Sequence, residues 1–359
     1  MKQKLCKLLF GLGLVLCLQL SAAAAEPEIT PQMTLREIRA NTAIQGSGIM
    51  TYARDKSAAQ QLYWQDKRLD QYMNASSVRA AVDALNLVIE NYNAGVQVTH
   101  GIYTQEEVAA EPEKGGVELY YFPAQNAQGS TRYALVIPGN ALSRTAEISE
   151  GFPAAYELNR MGYTVFVLRY RTWQQMDNNA PIEDLGRAVQ YITAHAQELG
   201  VRPEGYALVG FSSGGQIAGM FGGRRYGWSN FGVPKPGALL LGYPVNNFTV
   251  VSPAYHLTID CGAPESRYYD YSISGQVDAD YPPVWFWYGK NDLTLQLLGY
   301  CKQGPALQKA LEASGVPYRC TVYDNAPHGI SVGDGTDAEG WLIPAAAFWD
   351  EQTAHGPRP

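Results

Sequence analysis

Tyr206-Ala207-Leu208-Val209-Gly210-Phe211-Ser212-Ser213-Gly214-Gly215-Gln216-Ile217-Ala218-Gly219-Met220-Phe221 decides the reading of this chain. The apolar run Tyr206–Val209 reads as a buried strand, and Gly215–Phe221 reads as a helical stretch. Between them, Gly210-Phe211-Ser212-Ser213-Gly214 fits the pattern G-x-S-x-G. Strand, sharp turn and helix around that pattern make a nucleophile elbow, whose tight turn strains the serine backbone and lifts its hydroxyl clear of the sheet. Glycines flank it because side chains there would collide with neighbouring backbone. The helix N-terminus behind Ser212 favours negative charge nearby. In a chain with 36 glycines the pattern alone arises easily by chance, so the flanking strand and helix carry the argument.

Outward from the elbow, apolar strands alternate with helical stretches from Gly116 on. Strands are expected at Val117–Phe122, Tyr133–Ile137, Thr164–Leu168, Ala238–Leu241, Val284–Tyr288 and Tyr318–Tyr323. Helices are expected at Phe152–Met161, Pro181–Leu199 and near Pro305–Ser314. In the second of these, Ile182, Leu185, Val189 and Ile192 share a face. Continuous apolar strands separated by helices predict an α/β fold with a mostly parallel sheet and helices on both faces. Active sites in such sheets lie at the carboxyl ends of the strands. Residues 246–283 form a long link without a clear element, rich in tyrosine: Tyr255, Tyr268, Tyr269, Tyr271 and Tyr281. These rings either pack or line an acyl or sugar site, and packing is the plainer reading.

A serine nucleophile needs a base, and the base needs an orienting acid. Of five histidines, His100 lies in the N-terminal region, His195 on a helix, His256 in the link and His355 in the polar tail. His328, in Asp324-Asn325-Ala326-Pro327-His328-Gly329, directly follows a strand and can reach the elbow. Asp292 leaves the strand Val284–Tyr288 through Gly289-Lys290-Asn291, at the same edge of the sheet. Asp324 is the runner-up acid, but lies so close to His328 in sequence that capping the turn suits it better. The expected catalytic residues are therefore Ser212, Asp292 and His328, in that chain order. An oxyanion hole needs two backbone N–H donors. Ser213, after the nucleophile, supplies one; Asn140, in the turn Pro138-Gly139-Asn140-Ala141, is the candidate for the other.

The N-terminus reads as a targeting segment. Met1-Lys2-Gln3-Lys4 is basic, Leu5–Leu20 is an apolar run with Lys7 its only charge, and Ala22–Ala25 supplies small residues for cleavage near Ala25. Cys17 follows the bulky Leu16, which argues against lipidation. The chain is thus expected to be secreted or periplasmic, with no stable membrane insertion after cleavage. Removing residues 1–25 takes three lysines and no acid from a net charge of −7, leaving −10. So acidic a chain is not a nucleic-acid binder. Three cysteines stay beyond that point, Cys261, Cys301 and Cys320. Cys301 and Cys320 are either a disulfide or buried thiols, and spacing leaves both open. No C-x-x-C pair or H-E-x-x-H spacing signals a metal site.

Three segments result: 1–25 as signal peptide, 26–115 as a helical N-terminal extension, and 116–359 as the catalytic domain. In the extension, Thr34 with Glu37 forms a capping-box pattern for a short helix to Ala43. Val78, Val82, Leu85, Ile89 and Tyr92 mark a longer helix through Asn93, stopped by Gly95. The extension is expected to pack beside the main domain and carries no evident chemistry.

The stretch from Val117 to Trp349 resembles the α/β-hydrolases of the carbohydrate-esterase and hormone-sensitive-lipase-like type, especially bacterial acetyl-xylan-esterase-like proteins. The resemblance rests on Val136-Ile137-Pro138-Gly139, Glu150-Gly151-Phe152-Pro153, Gly162-Tyr163, Leu168-Arg169-Tyr170-Arg171 and Asp184-Leu185. It continues through the elbow, Gly242-Tyr243-Pro244-Val245, Tyr281-Pro282-Pro283 and Pro327-His328-Gly329. It implies the α/β-hydrolase fold and hydrolysis of small acyl esters, often acetyl groups on sugars, without a cofactor. Such proteins usually carry His-Gly-Gly or Pro-Gly-Gly at the oxyanion turn, where this chain has Pro138-Gly139-Asn140. Two rival readings are a serine peptidase of the prolyl-oligopeptidase type and a non-catalytic carbohydrate-binding protein on a hydrolase scaffold. Against the first, residues 26–115 are too few and too helical for a propeller. Against the second stands the complete serine, acid and histidine set.

Overall fold

The computed structural model describes residues 28–49, 65–125, 131–139, 145–172, 179–250, 269–297 and 300–354. The targeting segment, Asn140, Tyr255, His256, Cys261, Tyr268 and His355 lie outside these residues.

The described strands are β1 (Thr99–Gly101), β2 (Glu118–Phe122), β3 (Tyr133–Ile137), β4 (Thr164–Arg169), β5 (Ala207–Phe211), β6 (Ala238–Gly242), β7 (Val284–Gly289) and β8 (Tyr318–Tyr323). They form one eight-stranded sheet in the order β1-β2-β4-β3-β5-β6-β7-β8. The pairs β1–β2 and β2–β4 are antiparallel, and every pair from β4 through β8 is parallel. Strands β3, β4, β5 and β6 are buried along their whole length, which explains why they read as unbroken apolar runs rather than alternating ones.

The helices are α1 (Leu35–Ala40), α2 (Thr42–Ser47), α3 (Leu69–Tyr72), α4 (Ala75–Asn93), α5 (Gln105–Ala110), α6 (Phe152–Arg160), α7 (Ala180–Ala194), α8 (Ser212–Gly222), α9 (Leu293–Leu297), α10 (Tyr300–Ala313) and α11 (Leu342–Thr353). The Thr34–Glu37 capping box forms as expected. The helix behind it ends at Ala40 because Asn41 leaves the helical region and caps α2, accepting from Ala43 and Ile44 N–H. Val78, Val82, Leu85 and Ile89 are buried on α4, whereas Tyr92 is exposed. Gly95, at φ +83°, follows the end of α4.

Two expectations need correction. The Pro181–Leu199 helix stops at Ala194: His195 leaves helical geometry and its Nδ1 meets the Tyr191 carbonyl at 2.8 Å. Helix α10 starts at Tyr300 and runs through Pro305. There packing overrides the local breaker signal, since α10 lies so close to β7 that a Cβ on Gly304 would fall 2.1 Å from the Tyr288 ring. Of the two readings left open for Cys320, the structure shows the free thiol, and burial pushes its pKa up to about 12. Strand β1 and helix α11 were not expected at all. Helix α11 packs Trp349 into the core and donates its indole N–H to the Gly205 carbonyl at 2.7 Å.

In the long link, Tyr271 and Tyr281 are buried core rings, while Tyr269 is exposed. Packing is what the two buried rings do.

Candidate active site

The carboxyl ends of β3, β5, β7 and β8 bring the site together. Strand β5 ends at Phe211 and α8 begins at Ser212. Ser212 sits at φ +52°, a left-handed conformation that a non-glycine residue adopts only when its surroundings force it. The forcing is steric. A Cβ on Gly214 would come 2.2 Å from the Ile137 carbonyl oxygen, and one on Gly210 would come 2.6 Å from Gly215 Cα. The turn therefore closes against β3 and α8 only with glycine at both positions.

Ser212 Oγ lies 2.8 Å from His328 Nε2, and His328 Nδ1 lies 2.7 Å from Asp292 Oδ2. Asp292 is fully buried and accepts Leu295 N–H on its other oxygen at 2.9 Å. With Nδ1–H donated to the carboxylate, Nε2 is the acceptor for the serine hydroxyl. The turns carrying Asp292 and His328 are pressed together behind this pair, and a Cβ on Gly289 would fall 1.6 Å from the Ala326 carbonyl oxygen. Asp324 is not part of the relay. Its side chain pairs with Lys290 Nζ at 2.9 Å on the surface. The other described histidines are elsewhere: His100 meets Tyr191 Oη at 3.1 Å, and burial lowers its pKa.

Of the oxyanion candidates, Ser213 is the second residue of α8, at the helix N-terminus. Asn140 follows the last described residue of the β3 turn. That turn is held from several sides. Tyr170 Oη donates to the Pro138 carbonyl at 2.6 Å, and Ala146 N–H donates to the Gly139 carbonyl at 2.9 Å. Gly139 N–H donates to Glu150 Oε2 at 2.7 Å.

Glu150 has a place in this site that its motif, Glu150-Gly151-Phe152-Pro153, does not disclose. It lies in a turn of π-helix, Glu147–Gly151, and is buried. Its Oε1 accepts the Tyr243 hydroxyl at 2.9 Å, and Tyr243 Oη accepts Ser331 N–H at 2.9 Å. Ser331 Oγ in turn donates to the Glu150 carbonyl at 2.7 Å. Burial pushes the Glu150 carboxyl above the usual carboxylate range, opposed by the His328 charge and by the Gly139 and Tyr243 donors. An acid directly before Gly151-Phe152-Pro153 was the available signal.

A serine hydroxyl bonded to a histidine, the histidine bonded to a buried carboxylate, and a glycine-containing turn beside them are an arrangement suited to acyl transfer. Residues 119–227 match the BD-FAE family model. Endo-1,4-beta-xylanase B of Butyrivibrio fibrisolvens is 24% identical over 252 residues, covering 67% of this chain and 39% of its own length. An acetylxylan esterase of Xylanibacter ruminicola is 26% identical over 108 residues, 30% of this chain and 22% of its own. The chain thus spans about two-fifths or less of the curated relatives it matches. Among solved structures, an acetyl ester-xyloside bifunctional hydrolase from Caldicellulosiruptor lactoaceticus superposes with a TM-score of 0.59 at 20% identity, covering 72% of this chain and 97% of its own. The chain has the α/β-hydrolase fold, and its elbow lies within residues 119–227, which match the BD-FAE family model.

Proposed function

We propose that this chain is an exported serine esterase that hydrolyses short-chain acyl esters, acetyl esters first, with acetylated plant polysaccharide as the natural substrate class. The observation that carries the reading is the continuous relay Ser212–His328–Asp292 at 2.8 and 2.7 Å. Names of relatives support the substrate class: one is an acetylxylan esterase, and another a xylanase. Export rests on the basic start, the apolar Leu5–Leu20 run and the small residues Ala22–Ala25. No helix among the described residues is long and apolar enough to cross a membrane.

In this reading Ser212 Oγ attacks the acyl carbonyl while His328 Nε2 takes its proton. Asp292 holds the imidazole in the required tautomer and stabilises the imidazolium. The developing oxyanion is met by the N–H groups of Ser213 and Asn140, at a helix N-terminus and at the β3 turn. His328 then protonates the departing alcohol. Water, activated by the same imidazole, releases the acid and frees Ser212.

The test is hydrolysis of p-nitrophenyl acetate, butyrate and octanoate, together with acetate release from acetylated xylan. Turnover of acetate with release from xylan, both lost in Ser212→Ala, is expected. Undiminished turnover in Ser212→Ala sinks the reading, and cleavage of aminopeptidase substrates in place of esters moves the protein to the peptidase rival.

A further inference from the structure

The relay makes no use of the buried carboxylate of Glu150. Burying a carboxyl group is costly unless its oxygens are satisfied by hydrogen bonds. Here one oxygen takes Gly139 N–H and the other takes the Tyr243 hydroxyl. Tyr243 Oη is itself occupied by Ser331 N–H, so the donors point inward to the carboxyl group, an arrangement that suits its ionised form. Through these bonds one side chain joins three loops: the turn after β3, the end of β6 and the segment just beyond His328.

Backbone strain marks the same cluster. Ser212, Tyr243 and Ser331 are the non-glycine residues with left-handed φ among the described residues, at +52°, +38° and +50°. All three lie within this network or at the nucleophile beside it, where strain persists because neighbouring structure over-determines it. Gly139 is the point of closest approach. A Cβ there would meet Glu150 Oε2 at 2.7 Å and Ser212 Cβ at 3.0 Å. Because its N–H is spent on Glu150, Gly139 is not itself available as an oxyanion donor.

We propose that Glu150 is a positioning residue for the oxyanion turn: it accepts Gly139 N–H and so fixes the backbone at Gly139, the residue that precedes the proposed donor Asn140 in sequence. The proposal rests on the esterase reading for its catalytic consequence, but not for its structural one. The Gly139 carbonyl is tied by Ala146 N–H from the same turn that carries Glu150, so the peptides around Gly139 are gripped on both sides. A donor moved by about 1 Å loses on the order of 10²-fold in rate.

Glu150→Leu removes the acceptor, and Glu150→Gln keeps an acceptor of the same reach while removing the charge. For each variant, kcat and KM on p-nitrophenyl acetate, the pH–rate profile and hydrogen exchange of the Gly139 amide are measured. Glu150→Leu is expected to lower kcat by about 10²-fold, with KM and the acid limb of the profile unchanged. It is expected to speed Gly139 exchange by at least about tenfold. Glu150→Gln is expected to restore protection and most of kcat. Hydrogen exchange reads the positioning even if no ester is turned over, which separates failure of this proposal from failure of the esterase reading. Wild-type protection of Gly139 in Glu150→Leu overturns the proposal. So does a Glu150→Gln variant as impaired as Glu150→Leu, since the charge and not the acceptor would then matter. If Glu150→Leu does not fold, Glu150→Ala carries the same comparison, and failure of both to fold overturns the proposal by making the carboxylate a requirement of the fold.

Discussion

At the scale of single residues, the relay depends on one proton position. Asp292 is fully buried and accepts from His328 Nδ1, so its replacement by asparagine presents a donor where an acceptor is needed and favours the wrong tautomer. Asp292→Asn is expected to lower kcat on p-nitrophenyl acetate by about 10³–10⁴-fold with the circular dichroism spectrum unchanged. Glu150 has a separate signature in stability. Burial raises its folded-state pKa, so its contribution to stability is greatest below the ordinary glutamate range and is lost as pH rises through the raised value. His328 and Tyr243 act directly on this carboxyl, and Asp292 stands behind the imidazole. Glu150→Gln removes the loss, and its Tm relative to the parent is expected to rise as the pH is raised above the ordinary glutamate range. A Tm difference that stays constant as the pH rises from the ordinary glutamate range would contradict a buried, ionising Glu150. The serine, acid and histidine could be read from sequence because each follows a strand. Glu150 could not, because its role comes from a contact across eleven residues of turn that no periodicity records.

At the scale of elements, the elbow is a steric device. Gly214→Ala would drive a methyl group against two carbonyl oxygens of the β3 end, those of Ile137 and Pro138. Neither is a flexible side chain, so relief needs backbone movement, and a loss of about 3 kcal/mol or more in urea unfolding is expected. Helix α4 has a less obvious part. Ser77 is buried and its hydroxyl donates to the Ile330 carbonyl at 2.9 Å. Asp334 N–H donates to the Ser76 carbonyl, and Arg79 pairs with both Asp334 and Glu157. The extension thus grips the segment just after His328. Ser77→Ala is expected to cost about 1 kcal/mol and to speed hydrogen exchange across residues 329–335; unchanged exchange there would contradict the grip. The strands were legible as continuous apolar runs because both faces of the central sheet are covered. What misled was local punctuation. Pro305 suggested a boundary inside a continuous helix, and the Gly and Pro residues around α11 hid an element whose tryptophan packs into the core.

At the scale of the whole molecule, the parallel sheet delivers four strand ends to one edge, and the site forms there. Its other long-range anchor is Asp184 on α7, fully buried and paired with Arg171 just past β4. Arg171 N–H and the Tyr103 hydroxyl donate to the same carboxylate at 2.8 and 2.7 Å. Tyr103 comes from the region between β1 and β2, so the pair fastens that region to the sheet. Asp184→Ala would leave the Arg171 guanidinium short of its buried partner, and a loss of about 3–5 kcal/mol is expected by calorimetry. The motif residues Arg171 and Asp184 were visible in sequence, but their pairing needed the fold.

The central claim, that Ser212 is an activated nucleophile, is tested most directly by intact-protein and peptide mass spectrometry after exposure to a fluorophosphonate. One phosphonyl adduct on Ser212 is expected, absent in Ser212→Ala and formed far more slowly in His328→Ala. An adduct on another residue, or none on a folded chain, would contradict it.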